Sequence, residues 1–146
     1  MADMVIPEIH YLDDSDDEAF ISKLLLERQQ VSVRLKHHVT YASLKAAMKK
    51  RDADQPMVIL VDLNMPGING NEALKLIDKE FGDARLIAGM CSGSDDPADR
   101  QNAFKAGAHF FVNKPLDKQC LAAICGVIDQ LHITENDAAT QLVWAA

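Results

Sequence analysis

A chain of 146 residues, 48% hydrophobic and 25% charged, has the size and composition of one folded domain with a proper core. A formal net charge of −7 argues against direct nucleic-acid binding, and no apolar run reaches the roughly 20 residues that span a bilayer. The start, MADMVIPEIH, lacks the basic and apolar segments of a secretion signal, and Cys91, Cys120 and Cys125 match no metal-ligand spacing; a cytoplasmic chain with reduced thiols is expected.

Ile9 to Leu12 form a first apolar run and predict a strand. Ser15 with Glu18 three residues on is a capping-box signature, so a helix is expected from Ser15 to about Gln29, with Phe20, Ile21, Leu24 and Leu25 inward. Val31, Val33 and Leu35 alternate with polar residues, as in an edge strand. Tyr41 to Arg51 has helical spacing, with Leu44, Ala47 and Met48 inward. MVILVD (57–62) is apolar up to its closing acid, the pattern of a strand buried on both faces. After the turn-forming MPGING, Ala73, Leu74, Ile77 and Phe81 mark a third helix.

RLIAGM (85–90) predicts a fourth strand, and Asp96-Pro97 a cap and first turn for a fourth helix. HFFV (109–112) predicts the fifth strand. A fifth helix is expected from Leu116 to about Leu131, burying Leu116, Cys120, Leu121, Ile124, Val127, Ile128 and Leu131. Residues 132–146 form a tail beyond the domain (1–131), and 134–146 are expected as a short amphipathic helix capped by Thr134.

Strands alternating with helices predict an α/β architecture, an open, doubly wound, five-stranded parallel sheet with helices on both faces. In such sheets functional groups gather outside the carboxyl ends of the strands. Those ends carry Asp13 and Asp14, Asp62 and Asn64, Ser92, and Lys114-Pro115. Three carboxylates in one pocket either take up protons or share a cation, and hard oxygen ligands suit Mg²⁺. Lys114 adds a point charge for a phosphate, and Ser92 a hydroxyl donor. A carboxylate can itself be the nucleophile and form an aspartyl phosphate; Asp62, closing the central strand, is the best placed.

On LDDS (12–15), VDLNMPGINGNEAL (61–74), MCS (90–92) and AGAHFFVNKP (106–115), the chain resembles the receiver domains of two-component response regulators, of the single-domain, chemotaxis type. The resemblance spans residues 8 to about 131. It implies a flavodoxin-like strand order of 2-1-3-4-5, with Asp62 as phosphoacceptor. It implies that Asp13 and Asp14 hold Mg²⁺ together with Asp62 and the Asn64 backbone carbonyl. Lys114 becomes the phosphate lysine, Ser92 the switch hydroxyl and Phe111 the aromatic switch, with a cis bond before Pro115. The implied partners are a histidine kinase or phosphotransfer protein and a downstream target protein, with no direct contact to nucleic acid or membrane. Serine at 92 replaces the commoner threonine, and Phe111 lacks the hydroxyl of the frequent tyrosine.

A phosphatase of the haloacid-dehalogenase type, an enzyme with an aspartate nucleophile, needs a second aspartate two residues later, where this chain has Asn64. A signalling switch with only self-catalysed phosphorylation and dephosphorylation is therefore preferred to an enzyme. The alternative is a phosphorylation-independent interaction module of the same fold. Asp16, Asp17 and Glu18 read as helix-start acids favoured by the dipole. His37, His38 and His109 read as surface or edge residues, and Cys91 as a packed thiol.

Overall fold

The computed structural model describes residues 4–137 and 139–145. In chain order the elements are β1 (Met4–Val5), β2 (Glu8–Leu12), α1 (Asp16–Arg28), β3 (Val31–Ser32), β4 (Arg34–His38), α2 (Tyr41–Lys50) and β5 (Met57–Val61). There follow α3 (Gly70–Phe81), β6 (Leu86–Ser92), α4 (Pro97–Lys105), β7 (Phe111–Asn113), α5 (Lys118–Val127), β8 (Leu131–Glu135) and β9 (Thr140–Ala145).

The main sheet is parallel and runs β4-β2-β5-β6-β7. Counted within this sheet alone, the order is 2-1-3-4-5; the chain numbering differs because four strands belong to a second sheet. Side chains alternate across β5. Val58 and Leu60 enter the core layer shared with α5, while Met57, Ile59 and Val61 face the layer of α2 and α3. Each of these five residues is at most 1% exposed, and burying such a side chain is worth about 1.5–3 kcal/mol. This central strand is the hydrophobic keel that holds the neighbouring strand ends in register.

Every helix begins on a polar cap that accepts an otherwise orphaned backbone N–H. Ser15 Oγ accepts from Glu18, Thr40 Oγ1 from Ser43, Asn69 Oδ1 from Glu72, Asp96 Oδ1 from Ala98 and Asp117 Oδ1 from Cys120. The expected starts at Ser15 and Asp96-Pro97 are thus observed. Helix α1 ends through Gln30, whose φ of 58° is the left-handed exit common after a C-cap.

Four expectations need correction. First, α1 buries Ala19, Ser22 and Leu26, whereas Phe20 and Ile21 are exposed and Leu24 and Leu25 are half-buried. Small residues face the sheet here, which lets the helix sit close; the Ser22 hydroxyl then accepts the Leu116 N–H at 3.2 Å. Second, the regular ladder of the fifth strand begins at Phe111 rather than His109, although the His109 N–H already donates to Ala88 O. Third, α5 stops at Val127, which is exposed, and Leu131 opens a strand instead of ending the helix.

Fourth, the tail is not helical. Strands β8 and β9 form an antiparallel hairpin, with Leu131 opposite Trp144 and Glu135 opposite Thr140. The other edge of β9 pairs antiparallel with β1 and parallel with β3, completing a four-stranded sheet. Alternation explains the outcome. Leu131, Leu142 and Trp144 enter the α5-side core with Leu121, Ile124 and Ile128, a period-2 pattern that a helix would scatter around its axis. The hairpin is an integral wall of the domain.

Candidate functional site

The carboxyl ends of β2, β5, β6 and β7 meet at one edge of the main sheet. Asp13 and Asp14 follow β2, Asp62 follows β5, Ser92 closes β6 and Lys114 follows β7. One oxygen each of Asp13, Asp14 and Asp62 lies within 4.8 Å of the others. Asp13 is 0% exposed and Asp62 7%, while Asp14 is open to solvent. The Lys114 ammonium bridges the buried pair, 2.8 Å from Asp13 Oδ2 and 3.0 Å from Asp62 Oδ1.

Asp13 is fixed from three directions. Besides Lys114, the Tyr11 hydroxyl donates to Oδ2 at 3.0 Å and the Ser15 N–H donates to Oδ1 at 2.9 Å. The His37 Nε2–H donates to the Asp13 carbonyl at 2.7 Å. Charge-assisted bonds of this kind are the strong ones, and they hold a buried carboxylate that would otherwise be costly. Burial pushes the Asp62 carboxyl above its ordinary range, Lys114 opposes this, and the charges of Asp13 and Asp14 add to it. For Lys114, burial works against the ammonium, but Asp13 and Asp62 outweigh it and its pKa is raised.

Gly70 shows how tightly the next helix approaches this edge. A Cβ there would lie 2.4 Å from Asp62 O and 2.9 Å from Leu63 Cα, so α3 can begin beside the acid only with glycine. Ser92 is 1% exposed, and its hydroxyl accepts the Ser94 N–H at 3.0 Å. Asn64 lies exposed in the loop two residues beyond Asp62. Phe111 is half-buried at the start of β7, with the Arg100 guanidinium 5.8 Å from its ring centre. The Lys114-Pro115 bond is cis.

Asp13, Asp14, Asp62 and Lys114 therefore form one constellation, with Ser92 and Asn64 at neighbouring strand exits. The sequence gives Tyr11 no role, and His37 reads there only as a surface or edge residue. The signal for Tyr11 is its spacing: two residues before Asp13, it shares that residue's face of the strand. His37 becomes visible only through the pairing register, which sets it opposite Tyr11. His38 lies on the edge strand β4, as expected of a surface or edge residue, but its side chain is buried at 9% exposure and hydrogen-bonded to His10.

Hard oxygen donors around one point and an ammonium bridging two carboxylates are groups that suit phosphoryl chemistry. Comparison with known proteins agrees with this class. The response regulator receiver domain model matches residues 9–125, and the chain belongs to that family, the receiver domains of two-component systems. The chemotaxis protein CheY of Thermotoga maritima is 30% identical over 102 residues, covering 68% of this chain and 81% of its own length. The uncharacterized transcriptional regulatory protein YkoG of Bacillus subtilis is 27% identical over 134 residues; these are 91% of this chain but 56% of the relative. Among solved structures, the bacteriophytochrome response regulator AtBRR matches 91% of this chain and 99% of its own at 17% identity, with a TM-score of 0.73. CheY4 of Vibrio cholerae matches 85% and 99% at 19% identity and 0.66, and both likenesses concern the fold. No helix among the described residues is long and apolar enough to cross a membrane.

Proposed function

We propose that this chain is a phosphoacceptor of a two-component phosphorelay, in which Asp62 takes a phosphoryl group from a phosphohistidine of a histidine kinase or phosphotransfer protein. The observation that carries this reading is the Asp13–Lys114–Asp62 bridge at the carboxyl edge of the sheet. An Asp62 oxygen attacks phosphorus, an O–P bond forms, and the P–N bond to the imidazole breaks with its electron pair leaving on nitrogen. Lys114 already touches Asp62 and offsets the charge of the transferred group. Ser92 donates its hydroxyl to a phosphoryl oxygen, and Phe111 reports the change to a partner protein through the face it shares with Arg100.

The donor set also fits Mg²⁺. Three carboxylates and one ammonium leave a surplus of two negative charges, which a divalent cation matches. Asp13, Asp14, Asp62 and the Asn64 carbonyl would hold it, and when bound it supplies neutralisation of phosphate charge.

Acetyl phosphate with Mg²⁺ tests the reading. One phosphoryl group per chain is expected on Asp62, with none on Asp62→Asn while circular dichroism stays unchanged. Labelling of that variant would name a different nucleophile, and no labelling of the parent chain would favour the phosphorylation-independent interaction module. Mg²⁺ is also expected to raise the thermal midpoint of the parent chain, because it binds the folded state alone.

A further inference from the structure

Strand β2 carries a second constellation, directed away from the acid pocket. Between α2, the edge strand β4 and the loop after α2 lies a groove of about 780 Å³. Glu8, His10, His38 and Ser43 all line it, with Arg34 and Lys50 farther along its walls. The first four form an unbroken chain of hydrogen bonds. Glu8 Oε1 is 3.1 Å from His10 Nε2, His10 Nδ1 is 2.7 Å from His38 Nε2, and His38 Nδ1 is 2.7 Å from Ser43 Oγ. The two imidazoles lie nearly parallel, with ring centres 5.0 Å apart and 10° between their planes, as an in-plane hydrogen bond between ring nitrogens requires.

The direction of the chain follows from its ends. Burial works to raise the Glu8 pKa, but the His10 and Lys36 donors outweigh it; Glu8 is an ionised acceptor, and His10 Nε2 carries the proton. Burial keeps His10 neutral, so its Nδ1 is bare and accepts from His38 Nε2–H. His38 Nε2 thus carries a proton, and its Nδ1, 2.7 Å from Ser43 Oγ, accepts from the Ser43 hydroxyl. All three bonds are satisfied by this one assignment of protons. Its sense is that of an activated serine: a nucleophile on a base, and the base on an orienting group.

Ser43 is exposed to solvent and is the third residue of α2, whose first turn is fixed by the Thr40 cap. The positive end of the helix dipole is therefore next to the hydroxyl, where charge develops on an attacked carbonyl. This groove opens on the other side of β2 from the Asp62 chemistry: the His38 carbonyl accepts the Asp13 N–H at 3.0 Å, but none of the four relay side chains is an acid-pocket ligand.

We propose that Ser43 is a second reactive centre, an acyl acceptor activated through His38 and His10 by Glu8, which takes its acyl group from a small activated carboxylic ester held in the groove. Ser43 Oγ bonds to the ester carbonyl carbon, the carbon–oxygen bond to the alcohol portion breaks, and the alkoxide or phenolate leaves with the electron pair. The serine proton passes to His38 Nδ1, and the resulting imidazolium keeps its Nε2–H on His10 Nδ1, while His10 Nε2–H stays on the ionised Glu8. The proton on His38 Nδ1 then goes to the leaving group, which restores the neutral imidazole. Glu8 and His10 act as positioning residues, and His38 as the general base.

The test treats the full chain with p-nitrophenyl acetate and follows p-nitrophenolate release together with peptide mapping of the acetyl group. One acetyl on Ser43 is expected, absent in Ser43→Ala. It should form about 100-fold more slowly in His38→Gln, the order of one general base, and more slowly in Glu8→Gln as well. Asp62→Asn should acetylate at the parent rate, which separates this proposal from the phosphorelay reading. Acetyl groups found on lysines alone, or a Ser43 rate unchanged in both His38→Gln and Glu8→Gln, would overturn it. Should His38→Gln fail to fold by circular dichroism, Glu8→Gln decides.

Discussion

Neighbouring residues of β2 anchor two buried polar networks that solve the same problem in opposite ways. Tyr11 reaches the acid pocket, where Asp13 and Asp62 share the Lys114 ammonium. His10 reaches the other face, where two imidazoles remain neutral and pass hydrogen bonds from Ser43 to Glu8. Burial is expensive for charge in both places. The first network answers by pairing opposite charges, so each member depends on the others being present. The second answers by keeping its two imidazoles neutral, so it depends on pH. A strand with period-2 alternation can thus carry two chemistries one residue apart.

Substitutions separate the two solutions, and the largest effect is expected at Lys114. Lys114→Ala leaves Asp13 and Asp62 buried without their cation, and breaking a buried pair in this way costs about 3–5 kcal/mol. Urea denaturation should show that loss, and Mg²⁺ should recover part of it; no recovery would mean that the carboxylates do not share a cation. His10→Leu removes the centre of the neutral network and leaves the His38 Nε2–H buried without its acceptor, a loss of about 1–3 kcal/mol, with no change in Mg²⁺ stabilisation. Tyr11→Phe deletes one donor to an acid that keeps two others, and about 1 kcal/mol is expected in the same assay.

The shallowest effect is that of pH. Burial lowers the His38 pKa to about 4, and that of His10 moves in the same direction, whereas in the unfolded chain both titrate near about 6.5. Between those values the unfolded chain binds protons that the folded chain refuses. Stability from this network is therefore complete above about pH 6.5 and falls as pH drops toward about 4. Urea midpoints across that window should fall less steeply in His38→Gln than in the parent chain. Equal slopes would show that the imidazoles are not held neutral.

The main sheet and its acid edge were readable because their signals are local. MVILVD ends a doubly buried strand on Asp62, and the caps at Ser15 and Asp96 announce their helices without help from the rest of the chain. What escaped depends on partners distant in sequence. Thr134 looks like a helix cap in isolation, but β9 has β1 and β3 available on its free edge, and that pairing overrides a local preference. On α1, apolar residues were assigned inward, but close approach to the sheet selected Ala19 and Ser22 and left Phe20 outside. The histidine network was hidden for the same reason: His10 and His38 meet only because β2 and β4 pair in one register.

The position of β9 also bears on how the molecule assembles during synthesis. Val5 pairs with Trp144, and Val31 with Thr140, so two early strands lack their partners until nearly the whole described chain has been made. The parallel core can collapse first, leaving β1 and β3 as open edges on a nascent chain. Closing the small sheet is then a late event that joins both ends of the described chain, and a truncation before β9 would expose those edges to other chains as well as loosening a wall.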